Sequence, residues 1–152
     1  MRKSFLTAAL LFAAVGCAAT PSPARTPSPG AVAAPAAARL AVTAFLDAVR
    51  AEDIQAMGAI FGTSRGPLRE TMPSEDAGQL EKRLIILHCY LQHDSYRVLS
   101  EVPGEGASRI VRVELTRAGN RRQPALFAVE GPRGRWYVEN VELAAVRDFC
   151  GM

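Results

Sequence analysis

The chain has 152 residues, 49% hydrophobic and 22% charged, which is enough apolar material to bury one core if most of the length folds. Two units of its formal charge of +3 sit on Arg2 and Lys3; without them, 16 basic side chains face 15 acidic ones, mixed in sign along the sequence. Such a balance offers no electrostatic footprint for nucleic acid, and that class of partner is excluded.

Arg2 and Lys3 precede the apolar stretch FLTAALLFAAV, Phe5 to Val15, and small residues follow, the order of an export signal. Its eleven residues fall short of the roughly 20 that span a bilayer. A buried N-terminal helix is the other reading, but residues 16–35 contain five prolines and leave no adjacent core for it to enter. Ala14-Val15-Gly16-Cys17 then resembles the lipobox of bacterial lipoprotein signal peptides, with Ala14 where the family prefers leucine. The resemblance implies a signal peptide over 1–16, a diacylglyceryl thioether and an acylated amino group on Cys17, and a cell-envelope location. One acyl chain binds a membrane marginally, at about 0.8 kcal/mol per buried methylene, whereas two or three anchor stably. Ala18, where other lipoproteins carry aspartate, resembles those forwarded to an outer membrane. An ordinary secretory peptide cut nearby, releasing a soluble protein, is the alternative.

Ala18 to Ala38 consists almost wholly of Ala, Pro, Ser and Thr and reads as a semi-rigid tether, so the lipidated cysteine and spacer take 17–38 and the domain 39–152. In RLAVTAFLDAVRAED, Leu40, Val42, Phe45, Leu46 and Val49 recur at helical spacing opposite Asp47 and Arg50. Asp53 is the expected N-cap of a second, short helix carrying Ile54, Met57, Ile60 and Phe61, stopped by Gly62. GTSRGPLRETMP reads as a loop with one short strand near Leu68. A third helix is expected from Ser74, burying Leu80, Leu84, Leu87 and Leu91, with Ile85 and Ile86 widening that face and making it the most buried of the three.

From SYRVLSEV onward the period changes to alternation, and SRIVRVELTR, QPALFAVEG and RGRWYVENVEL complete four strands separated by Gly-rich turns. Four consecutive strands with short connections form an antiparallel meander with helices on one face, an α+β domain. This order, carried by AVTAFLDAVRAEDIQAMGAIFG and RWYVENVEL, resembles the nuclear-transport-factor-2-like superfamily, which includes ketosteroid-isomerase-like and polyketide-cyclase-like domains. The resemblance implies a cone whose open end holds a pocket, in a fold shared by enzymes, ligand binders and domains that dimerise; a homodimer through the sheet is compatible with it.

HCYLQHDSY gathers His88, Cys89, His93, Asp94 and Tyr96. His88 and Cys89 point about 100° apart on a helix, so the spacing does not suit a metal, and no motif calls for a cofactor. A His93–Asp94 dyad for proton transfer competes with a bland reading in which both residues end the helix and cap the turn. His88 shares the Leu84 and Leu91 face and reads as a core-edge histidine. Enzymes of the resembled superfamily present pocket carboxylates from their strands, which here implies Tyr96, Arg112, Glu114, Tyr137, Glu139 and Asn140 as pocket candidates and His93 or Glu139 as base. On alternation alone, Arg112 with Glu114 and Tyr137 with Glu139 equally describe the wet face of a half-buried sheet. With Cys17 taken by lipid, Cys89 and Cys150 form an even pair in an oxidising compartment and are expected to be joined by a disulfide, with two buried free thiols or exposed single thiols as the alternatives. The expected protein is a lipid-anchored envelope domain that binds a small ligand or another envelope protein without catalysis; the alternative is a ketosteroid-isomerase-like lyase or isomerase.

Overall fold

The computed structural model describes residues 36–151; the expected signal peptide, Cys17 and most of the tether lie outside the described residues. Helix α1 (Ala38–Arg50) is the centre of the domain. It buries seven side chains, including Val42, Phe45, Leu46 and Val49, and holds Asp47 and Arg50 outside as an ion pair at 3.1 Å. Asp53 caps helix α2 (Ile54–Ile60) as expected, its Oδ1 accepting from the Ala56 amide at 2.9 Å. Phe61 then stacks on Phe45, ring centroids 6.0 Å apart.

The following segment is more ordered than its composition suggests. Two short strands, β1 (Gly62–Thr63) and β2 (Gly66–Pro67), form a minimal hairpin where one strand was expected, and Leu68 itself, just after β2, opens a single helical turn, α3 (Leu68–Thr71). Backbone bonds hold it: the Leu68 amide donates to the Phe61 carbonyl at 3.0 Å and the Met72 amide to the Leu68 carbonyl at 2.8 Å. A 3-10 turn at Ser74–Asp76 leads into α4 (Ala77–Leu91), which begins three residues later than expected. Leu80, Leu84, Leu87 and Leu91 are buried, but Ile85 and Ile86 are 51% and 52% exposed, and Leu40 on α1 is 56% exposed. At 100° per residue, Ile85 and Ile86 sit about 130° to either side of the leucine stripe, so they cannot widen it. α1, with seven buried positions, is therefore more deeply buried than α4, with four.

The main sheet is antiparallel, in the order β3 (Ser95–Pro103), β4 (Ser108–Arg117), β6 (Ala125–Glu130), β7 (Trp136–Val141), with β5 (Asn120–Arg122) pairing with the end of β4. The fifth strand was not legible because Asn120, Arg121 and Arg122 carry no apolar alternation. Val111, Val113 and Leu115 from β4, Leu126 and Ala128 from β6, and Val138 and Val141 from β7 join the α1 side chains in one core. α1 lies against β6 and β7.

After a 3-10 turn at Leu143–Val146, the tail buries Val146 and Phe149. Cys150 meets Cys89 of α4 at disulfide distance, with Cα atoms 4.9 Å apart. Arg117 donates to the Phe149 carbonyl and Arg122 pairs with Asp148, so the tail is held at the two residues just before Cys150. Among the described residues no helix is long and apolar enough to cross a membrane.

Candidate functional site

Three separate clefts receive His88, His93, Asp94, Tyr137, Glu139 and Asn140 of the polar side chains that the sequence singles out. The first, about 260 Å³, lies where α4 hands over to β3 and is lined by Arg50, Glu52, His88, His93, Asp94 and Arg117, among others. Gln92 adopts an extended conformation after the last helical turn and folds His93 back, leaving it only 7% exposed. The His93 Nδ1 lies 2.8 Å from the Leu91 carbonyl, so Nδ1 carries the proton and donates. Its ring meets Tyr96 edge-on at 5.4 Å, and Nε2, like that of His88, is buried without a hydrogen-bond partner among the described residues. Burial pushes the His93 pKa below its ordinary 6.5, partly opposed by the Leu91 hydrogen bond. Asp94 does not orient the imidazole: its Oδ2 accepts from the Ala118 amide at 2.8 Å and its own amide donates to Thr116, clamping the β4–β5 turn. His93 thus follows the helix end as a buried side chain, and Asp94 caps a different turn from the one expected.

The second cleft is an open groove of about 750 Å³ floored by Leu68, Ile110, Phe127 and Val129 and rimmed by Arg83 and Glu139, with other residues completing its walls. Glu139 reaches it through a bulge. Phe127 pairs with Asn140 and Ala128 with Val138, leaving Glu139 as the extra residue, exposed. The bulge resets the alternation, so Val138 and Val141, three apart, both enter the core. Tyr137 consequently does not share a cleft with Glu139. It lines the third, of about 430 Å³, together with Arg65, Arg69, Glu70, Arg133 and Arg135.

Tyr96, Arg112 and Glu114 line none of these clefts. The Tyr96 hydroxyl donates to Asp47 Oδ1 at 3.2 Å, joining β3 to α1, and desolvation raises its pKa. Arg112 donates to the Gln123 carbonyl at 3.0 Å and faces Glu142 at 3.7 Å. Glu114, only 8% exposed rather than on a wet face, accepts from Gln123 at 3.1 Å and pairs with Arg97 at 3.1 Å. The Gln123 bond, then Arg97, outweigh desolvation and hold its carboxyl below the ordinary range. Both β4 residues are committed to fastening the β5–β6 connection.

The arginine cleft is the feature sequence reading missed. Its signal lay in two Gly/Pro-bracketed segments, Arg65-Gly66-Pro67-Leu68-Arg69, read as a loop with one short strand, and Gly131-Pro132-Arg133-Gly134-Arg135, read as a turn leading into the last strand. Among the described residues no group of three or more His, Cys, Asp and Glu side chains could hold a metal ion. No protein-family model, curated protein or solved structure matches the chain.

Proposed function

We propose that the chain is a lipid-anchored cell-envelope protein whose α+β domain binds a small apolar ligand in the Phe127 groove without transforming it. The observation that carries the non-catalytic reading is dispersal: His93 and Glu139, the two candidate bases, line different clefts, and Tyr137 lines a third. General acid–base chemistry needs a base and a donor within hydrogen-bond reach of one substrate. None of the three clefts pairs His93 or Glu139 with a tyrosine donor. The helix-covered side of the sheet is instead filled by apolar side chains from α1, β4, β6 and β7.

The envelope location rests on the lipobox-like Ala14–Cys17 sequence, the Ala/Pro tether and the Cys89–Cys150 pair, since such bonds persist outside the reducing cytoplasm. The domain's resemblance to the nuclear-transport-factor-2-like cone is supported by helices leading into a consecutive antiparallel sheet. Ligand binding in the groove fits its size and its apolar floor with a few charged groups at the rim.

Two measurements test this reading. Metabolic labelling with a palmitate analogue should mark the wild-type chain and not Cys17→Ser; equal incorporation removes the anchor. A neutral solvatochromic dye such as Nile red should bind saturably, and Phe127→Glu and Leu68→Glu should weaken it about tenfold each through the charge placed on the apolar floor. Unsaturable dye uptake, or affinity unchanged in both variants, removes the groove.

A further inference from the structure

The structure assigns a second binding site, independent of the groove: we propose that the cleft between the β1–β2 hairpin and the β6–β7 turn is a receptor for a phosphate group. Arg65, Arg69, Arg133 and Arg135 line one cleft of about 430 Å³, and Glu70 is the only acidic side chain among its lining residues. In a chain whose charges otherwise nearly cancel, four guanidinium groups against one carboxylate make a local positive field. Among the described residues no ion pair takes up Arg65, Arg69 or Arg133. Arg69 has one fixed contact, donating to the Gln55 carbonyl at 3.2 Å, which anchors the side chain at the cleft.

Two features of the backbone show that the cleft is built and not merely crowded. Arg133 has φ 61° and ψ 28°, a left-handed conformation that an arginine adopts at a cost and glycine adopts freely. Tyr137 forms the wall by lying so close over Gly131 that a Cβ there would meet its ring at 2.7 Å. The two arginine-bearing turns are thereby brought against a rigid, buried aromatic. Guanidinium forks match the tetrahedral oxygens of phosphate bidentately, and several converging on a cleft favour a dianion over a monoanion. A phosphorylated small molecule and a lipid phosphate headgroup present the same chemistry.

The full chain in neutral detergent, isotopically labelled, should show saturable amide shifts at Gly66, Arg69, Arg133 and Gly134 on titration with inorganic phosphate, weakening as salt is raised. Arg133→Gly is the decisive variant, because it relieves the backbone and should not lower the melting temperature while weakening phosphate binding at least fivefold. Arg65→Gln should do the same without altering the turn. Vesicles containing phosphatidylglycerol, measured against pure phosphatidylcholine vesicles, separate the sources. Competition with phosphate identifies the headgroup, and lack of competition identifies a soluble phosphorylated ligand; both support the site. An adventitious ion only, seen as shifts that do not saturate or that persist unchanged in both variants, overturns it.

Discussion

His93 shows how one residue's neighbours decide its chemistry. A histidine next to an aspartate invites a proton-relay reading, yet Nδ1 is spent on the Leu91 carbonyl and Asp94 on the Ala118 amide. Burial lowers its pKa from 6.5, with Arg50 adding to the effect and Asp47 and Asp94 opposing it. A histidine whose folded pKa is depressed binds fewer protons folded than unfolded, so stability is complete above about pH 6.5 and falls as the pH drops below it. Urea midpoints taken between about pH 7 and 5 should decline in the wild type and flatten in His93→Gln, which keeps a donor for Leu91; an equal decline in both would assign the proton elsewhere. Glu114 and Asp148, held below their ordinary 4.5 and 3.8 by Gln123 and Arg122 respectively, keep their contribution above those values and lose it only at lower pH. Tyr96→Phe removes the bond to Asp47 and should cost about 1 kcal/mol in chemical denaturation, with no effect on dye or phosphate binding.

At the scale of elements, periodicity located the long helices and the strands but misjudged which surfaces they bury. Apolar spacing in α1 and the leucine stripe in α4 follow the 3.6-residue repeat and were legible. Leu40, Ile85 and Ile86 are apolar yet point away from the stripe their neighbours define, so residue type alone misplaced them. The bulge at Glu139 had no sequence mark at all, because a one-residue insertion is a property of the pairing between two strands. α1 carries the packing of the domain, and Phe45, fully buried against Phe61 and the sheet core, is its keystone. Phe45→Ala should cost about 3–5 kcal/mol in urea denaturation, whereas Ile86→Ala on the exposed side of α4 should stay near ~0.5 kcal/mol.

For the molecule as a whole, the Cys89–Cys150 pair closes a loop across 61 residues and fixes the tail that buries Val146 and Phe149. The chain-entropy account gives such a closure about 4 kcal/mol, so Cys150→Ser should lower the unfolding free energy by roughly that amount, as should reductant acting on the wild type. A denaturation midpoint insensitive to both would show that the tail is held by Phe149 and the arginines alone. By itself the sequence determined the two long helices, the short capped helix between them, the four main strands in order and the central core positions, because these are written in local periods. Tertiary structure alone decided that the candidate bases part into different clefts and that Arg65 and Arg69 meet Arg133 and Arg135. A cleft assembled from segments more than 60 residues apart depends on how hairpins and helices pack, and no local pattern encodes that distance.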